Sequence, residues 1–284
     1  MKEAVRDIHV GQIAQTVAEL SIEANTRVGT DVIQALEKAV GEEESPLGKR
    51  VLHQLLDNHR LAAQAGVPVC QDTGTAVVFL EIGQDVHLVG GDLTEAVNQG
   101  IAQGYLEGYL RKSMVSDPLI RENTSNNTPG ILHTRIISGD RLRITVAPKG
   151  GGSENMSFLR MLPPSTNREE LIGFVVEQVK TAGANPCPPI IVGVGIGGNF
   201  EYAAYLAKYA LLRPVGTPNA DPLYAQLELD LLREINKLGI GPQGFGGTVT
   251  ALAVHVETYP CHITGMPVGI NINCHAARHA SRVL

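Results

Sequence analysis

A helix-rich α+β fold is predicted for this chain, a single domain over residues 1–284 with a small mixed or antiparallel sheet covered by helices. Three observations predict it: helical patterns outnumber strand patterns, one pair of strand-like runs reads as a hairpin, and the other strands are not consecutive. Neither a low-complexity linker nor an internal repeat breaks the 284 residues, so no domain boundary is placed.

The first seventy residues are helical in pattern. Ile13, Val17 and Leu20 recur at helix spacing, as do Val32, Leu36 and Val40, with Gly29 between the two runs. Residues 42–46 form a turn before a third helix carrying Val51, Leu55 and Leu56. Residues 75–82 form a continuous apolar run rich in β-branched residues, which reads as a strand, so residues 70–74 are a loop feeding it. Residues 93–110 return to a helical pattern, followed by Arg111 and Lys112, whose charge suits a helix C-terminus.

Residues 131–137 and 141–147 are strand-like, and Ser138-Gly139-Asp140 between them is turn chemistry, which predicts an antiparallel hairpin. Thr166 with Glu169 is a capping-box signature ahead of Leu171, Phe174, Val175 and Val179 on one helical face. A buried strand is expected over 189–194, helices over 199–212 and 223–238, and a loop over 239–247. Apolar runs at 249–256 and 267–272, with turns at Pro260 and Gly265, complete the chain.

A hydrophobic fraction of 43% and a charged fraction of 18% supply ample core material. The net charge of −6 comes without a basic stripe, which disfavours a nucleic-acid partner. No apolar run reaches membrane-spanning length, so no membrane association is expected. Four cysteines in a long chain without a leader-like N-terminus argue against a disulfide framework and for a reducing, cytoplasmic setting.

Three of those cysteines stand in turn-forming settings: Cys70-Gln71-Asp72-Thr73-Gly74, Pro186-Cys187-Pro188-Pro189 and Cys274-His275-Ala276-Ala277-Arg278. A free cysteine is often a small buried hydrophobe. Taken jointly, these settings favour ligation, because three thiolates can hold an iron–sulfur cluster with one iron left open. A rival reading takes Cys261, Cys274 and His279 as zinc ligands of a binding or scaffold protein, but the adjacency of Cys274 and His275 suits a tetrahedral centre poorly. A hydrogen-bonded or solvated helix face accounts better for His279. Gly193-Val-Gly195-Ile-Gly197-Gly198 has dinucleotide-binding spacing, yet the region that should carry the ribose-binding acid is a proline-rich loop, 213–222, so the motif reads as a decoy. The run Lys149-Gly150-Gly151-Gly152-Ser153-Glu154 lies between a strand and a helix start, where backbone amides can approach an anion.

The ordered set Cys70-Gln-Asp-Thr-Gly, Ala147-Pro-Lys-Gly-Gly-Gly-Ser-Glu-Asn, Cys187-Pro-Pro, Val192-Gly-Val-Gly-Ile-Gly, Gly239-Ile-Gly-Pro-Gln-Gly and Cys274-His-Ala-Ala-Arg spans nearly the whole chain. It resembles the α subunit of the iron–sulfur hydro-lyases, the class I fumarase and L-tartrate dehydratase group. The resemblance implies a [4Fe-4S] cluster held by Cys70, Cys187 and Cys274, leaving Cys261 as a spare thiol. It also implies Asp72 as a proton-transfer group, Gln71 and the Gly150, Gly151 and Gly152 loop as substrate contacts, and Arg111 as a carboxylate clamp. Members of this group need a second region supplying further substrate contacts, so a β subunit in a paired assembly is expected as partner. The forms of the glycine and Cys274 motifs look more like fumarase, acting on fumarate and L-malate, than tartrate dehydratase.

Overall fold

The computed structural model describes residues 5–284, which divide into two compact units. Unit one takes the chain up to Val28, His59–Gly151 and Arg278–Leu284; unit two takes Gly29–Asn58 and Gly152–Ala277. In chain order the elements begin with β1 (Arg6–His9), α1 (Val10–Thr26), α2 (Thr30–Glu42), α3 (Pro46–Ala65), β2 (Thr75–Gly83), β3 (Val86–Val89) and α4 (Leu93–Glu107). They continue with β4 (Ile131–Ile137), β5 (Leu142–Lys149), α5 (Gly151–Glu154), β6 (Phe158–Leu162), α6 (Arg168–Ala182), β7 (Ile190–Gly198) and α7 (Phe200–Ala210). The chain closes with α8 (Pro222–Asn236), a 3-10 turn (Pro242–Gly244), β8 (Ala251–Cys261), β9 (Met266–Asn273) and β10 (Ala280–Val283). The architecture is α+β, but the described strands form a two-stranded pair and two four-stranded sheets instead of one small sheet.

In unit one the sheet order is β10-β5-β2-β4. The predicted hairpin of β4 with β5 does not form. β2 is buried along most of its length and takes the central place, pairing in parallel with β4 and antiparallel with β5. Residues 137–141 instead bond back to the end of β2, with Gly83, Gln84 and Asp85 amides donating to the Arg141, Ile137 and Gly139 carbonyls at 2.8, 2.8 and 3.0 Å. Ile13, Val17 and Leu20 of α1 and Val97 and Ile101 of α4 pack with Val78, Leu80, Ile144 and Val146 of the sheet to form this unit's core. Glycines on α4 permit the close crossing: a Cβ on Gly100 would stand 2.3 Å from the Ala14 carbonyl.

Unit two is built on the sheet β6-β9-β7-β8. Alternation along β7 sends Val192, Val194 and Ile196 into a core with Leu171 and Val175 of α6 and Leu227 and Leu231 of α8. The capping box at the start of α6 sits one residue later than predicted, with Asn167 and Glu170 exchanging bonds of 2.9 Å in both directions. Pro260 is no turn but lies in the tail of β8, an edge strand, where a missing amide is tolerated. Residues 274–279 are not helical, which removes the helix-face reading of His279; the segment leaves β9 as an irregular bend. Among the described residues no helix is long and apolar enough to cross a membrane.

Candidate functional site

The loop ahead of β2 carries three of the candidate residues of unit one. Asp72 is anchored by both carboxylate oxygens, Oδ1 accepting from the Gly74 amide at 3.0 Å and Oδ2 from the Gly151 amide at 2.7 Å. Its own amide donates to Cys70 Sγ at 3.4 Å, and a donor to sulfur steadies a thiolate. Gln71 is exposed on the same turn, its Oε1 accepting from Cys70 Sγ at 3.4 Å. Gly150 lies against the carboxylate, since a Cβ there would stand 3.2 Å from Asp72 Oδ2. Arg111 joins the group through its backbone: Thr73 Oγ1 donates to the Arg111 carbonyl at 2.9 Å, while the Arg111 side chain stays exposed.

Behind this turn stands a set of buried polar side chains that sequence reasoning missed. Tyr105 Oη donates to the Thr73 carbonyl at 2.7 Å and lies 3.0 Å from the Gly74 carbonyl. Asn127 is fully buried, donating from Nδ2 to the Gly74 carbonyl at 3.1 Å and accepting from the Ser113 amide at 2.7 Å. Arg278 Nη2 donates to the Asp72 carbonyl. Burial pushes the Tyr105 phenol above its ordinary range, outweighing the opposing charge of Arg278, so it remains a donor. Arg278 stood in a recognised motif, but nothing local marked its side chain as buried; Asn127 sat in a polar loop without a distinct signature.

In unit two the register of the sheet places the remaining cysteines. Cys187 precedes β7 by a short turn, its amide donating to the Ala184 carbonyl at 3.0 Å. Cys274 follows Asn273, which pairs with Ile191 at the beginning of β7. Both therefore lie at the same end of the sheet, and the His275 amide donates to the Cys187 carbonyl at 3.3 Å. Gly152 adjoins this end: a Cβ on it would stand 3.7 Å from the Asn185 carbonyl. Glu154, by contrast, is a structural member of the glycine motif, with Lys208 Nζ donating to Oε1 at 2.6 Å and Asn271 Nδ2 donating to Oε2 at 2.9 Å.

Cys261 is paired with Gly198 at the opposite end of β7. Seven residue steps along the strand separate Gly198 from Ile191, about 23 Å at the usual rise, so Cys261 and Cys274 do not share a zinc ion. Among the described residues no group of three or more His, Cys, Asp or Glu side chains could hold a single metal ion. A cluster sets a different requirement, because each thiolate ligates a different iron. The cysteines are chemically available as thiolates: none forms a disulfide, Cys187 is exposed, and Cys70 and Cys274 are half-buried, so none of the three is a core hydrophobe.

The glycines of the dinucleotide-like motif serve packing. β7 runs through Gly198, and a Cβ on Gly193 or Gly195 would stand 2.1 or 2.2 Å from the Ala207 or Ala203 carbonyl of α7. The helix occupies the space beside those glycines.

Comparison with known proteins identifies the family of the whole chain. Residues 14–283 match the family profile described as Fumarate hydratase (Fumerase). A protein of Methanocaldococcus jannaschii bearing the provisional name L(+)-tartrate dehydratase subunit alpha is 43% identical over 275 residues, covering 95% of this chain and 96% of its own. The L(+)-tartrate dehydratase subunit alpha of Escherichia coli K12 is 32% identical over 284 residues, 99% of this chain and 93% of its own. With the match running from α1 to β10, the chain belongs to the fumarate hydratase (Fumerase) family of hydro-lyases.

Proposed function

We propose that this chain is the α subunit of a two-chain, cytoplasmic hydro-lyase that removes water from a small hydroxy-dicarboxylate, with L-tartrate as the first candidate substrate. The whole chain, 1–284, acts as one catalytic module and requires a β subunit for activity. The observation that carries this reading is the Cys70–Gly74 turn, in which a candidate thiolate ligand and an amide-fixed carboxylate stand two residues apart. The names of the full-length relatives favour tartrate over the fumarate suggested by the motif forms. Fumarate hydration is the second reading, favoured by the description of the family profile.

Cys70, Cys187 and Cys274 would hold a [4Fe-4S] cluster. When bound, the cluster supplies a Lewis-acidic iron that stabilises the departing hydroxide. The chain's own side chains do the rest. Asp72 accepts the proton from the carbon next to the substrate carboxylate, and its two amide donors keep it oriented through the step. Gln71 contacts the substrate's polar groups, Arg111 offers a planar fork to a carboxylate, and the Gly150, Gly151 and Gly152 backbone allows close approach of the substrate.

Anaerobic coexpression with a partner β subunit tests this reading. The complex should be brown, carry about four irons and four sulfides per α chain, and dehydrate L-tartrate faster than it hydrates fumarate. Cys70→Ser, Cys187→Ser and Cys274→Ser should each lose the cluster while Cys261→Ser keeps it. A colourless complex, or equal loss in all four variants, would remove the ligand assignment; faster turnover of fumarate would select the second reading.

A further inference from the structure

Arg278 has a burial that its bonding does not repay. The residue is 5% exposed, its Nη2 meets the Asp72 carbonyl, and its Nε has no hydrogen-bond partner. Taking a guanidinium out of water and leaving one of its donors unpaired is costly, so fold stability alone is a poor reason for an arginine here. Its surroundings suit a fixed cation. His59 nearby is 2% exposed, and burial, assisted by the charge of Arg278, holds its ring pKa down to about 4, which keeps the ring neutral.

The three successive carbonyls of the turn are each engaged from behind: Asp72 by Arg278, Thr73 by Tyr105, and Gly74 by Asn127 and Tyr105. Of these side chains only Arg278 bonds to Asp72 itself. From the front, the Asp72 carboxylate is held by the Gly74 and Gly151 amides. The residue is thus fixed at both its backbone and its carboxylate.

We infer that Arg278 is a positioning residue for Asp72: its buried guanidinium fixes the Asp72 backbone so that the carboxylate keeps one orientation for proton transfer. The catalytic half of this inference rests on the function proposed above, whereas the tether itself does not. A charged fork that grips a carbonyl gives a directional hold that lysine, with its single ammonium, and glutamine, without charge, reproduce only in part.

Arg278→Lys and Arg278→Gln, made in the full chain, test it with two readouts. In the isolated chain, amide hydrogen exchange over residues 70–75 should quicken in both variants, while exchange over β7 stays as in the parent. In the complex with the β subunit, kcat should fall about tenfold to a hundredfold with KM changed by less than about threefold, as expected for a displaced group that acts in the transition state. Tyr105→Phe, which leaves the bond to Asp72 in place, should lose less in kcat than either variant. Unchanged exchange at 70–75, faster exchange throughout the chain, or failure of both variants to fold would overturn the positioning role. An inactive parent complex would count against the proposed function, and the exchange result would still decide the tether.

Discussion

At the scale of single residues, the Asp72 carboxylate is the group on which most of the proposed chemistry turns, and its two oxygens are already committed to backbone donors. One accepts from Gly74 at 3.0 Å and the other from Gly151 at 2.7 Å. The glycine run, which in sequence reads as a loop for binding an anion, thus contributes an amide to the protein's own anion. Asparagine at position 72 keeps one acceptor oxygen but turns an NH2 group toward a backbone N–H, so one amide loses its partner. Asp72→Asn is expected to retain iron at the parental level and to lose about 10²–10⁴-fold in kcat, the usual worth of a positioned base. Iron content and steady-state kinetics of the complex check this, and parental turnover would remove Asp72 from proton transfer. Cys70, Asp72 and the glycines were legible because unusual residue types cluster locally around them. Tyr105, Asn127 and Arg278 were not, because what distinguishes them is burial against a turn distant in sequence, and nothing in their immediate neighbours encodes that.

At the scale of elements, β7 shows how one pattern serves two different ends. Gly193 and Gly195 alternate with Val192, Val194 and Ile196, and the bare positions let the α7 backbone approach the strand. A methyl group at position 195 would stand 2.2 Å from the Ala203 carbonyl and 2.5 Å from the Ala207 amide, both parts of a helix that cannot yield at a single residue. Gly195→Ala should therefore destabilise the chain by about 1–3 kcal/mol through overpacking. Denaturant unfolding measures it as a lower midpoint at unchanged slope; an unchanged midpoint would show that α7 can move away without loss. Periodicity and caps made the helices readable, and α1, α2, α7 and α8 lie close to their expected positions. Strand pairing was not readable to the same degree. β4 and β5 carry hairpin signals, but both pair with β2, whose nearly continuous burial claims the middle of the sheet. The four-residue strands β1 and β10 are too short to show a period and exist through their partners β3 and β5.

At the scale of the whole molecule, the chain passes between its two units at Val28/Gly29, Asn58/His59, Gly151/Gly152 and Ala277/Arg278. The second and third crossings fall inside α3 and α5, so no linker composition marks them in the sequence. Each unit holds one deeply buried histidine, His59 in the first and His255 in the second, both 2% exposed. Burial, with Arg278 acting secondarily on His59 and Arg213 on His255, lowers each ring from an ordinary 6.5 to about 4. Glu228 and Asp31 also face His255 and oppose the shift, as does its contact with the Ala210 carbonyl, and burial outweighs them. The unfolded chain takes up these protons near pH 6.5, whereas the folded chain takes them up only near pH 4. Stability from this source is therefore complete above pH 6.5, falls as the pH drops through the interval, and loses nothing more once both states are protonated. Within the interval each histidine contributes a slope of about 1.4 kcal/mol per pH step. Carboxylates enter later. The Glu43 carboxyl is raised by burial but lowered more by the Ser45, Val249 and Thr248 amides, so its contribution fades only below its ordinary 4.5. A thermal midpoint that declines from about pH 6.5 to pH 5 is thus assigned to the histidines. His255→Gln should about halve that decline, leaving the share of His59 and the drop below pH 4.5 in place, and a parental profile in the variant would mean that His255 titrates at its ordinary value.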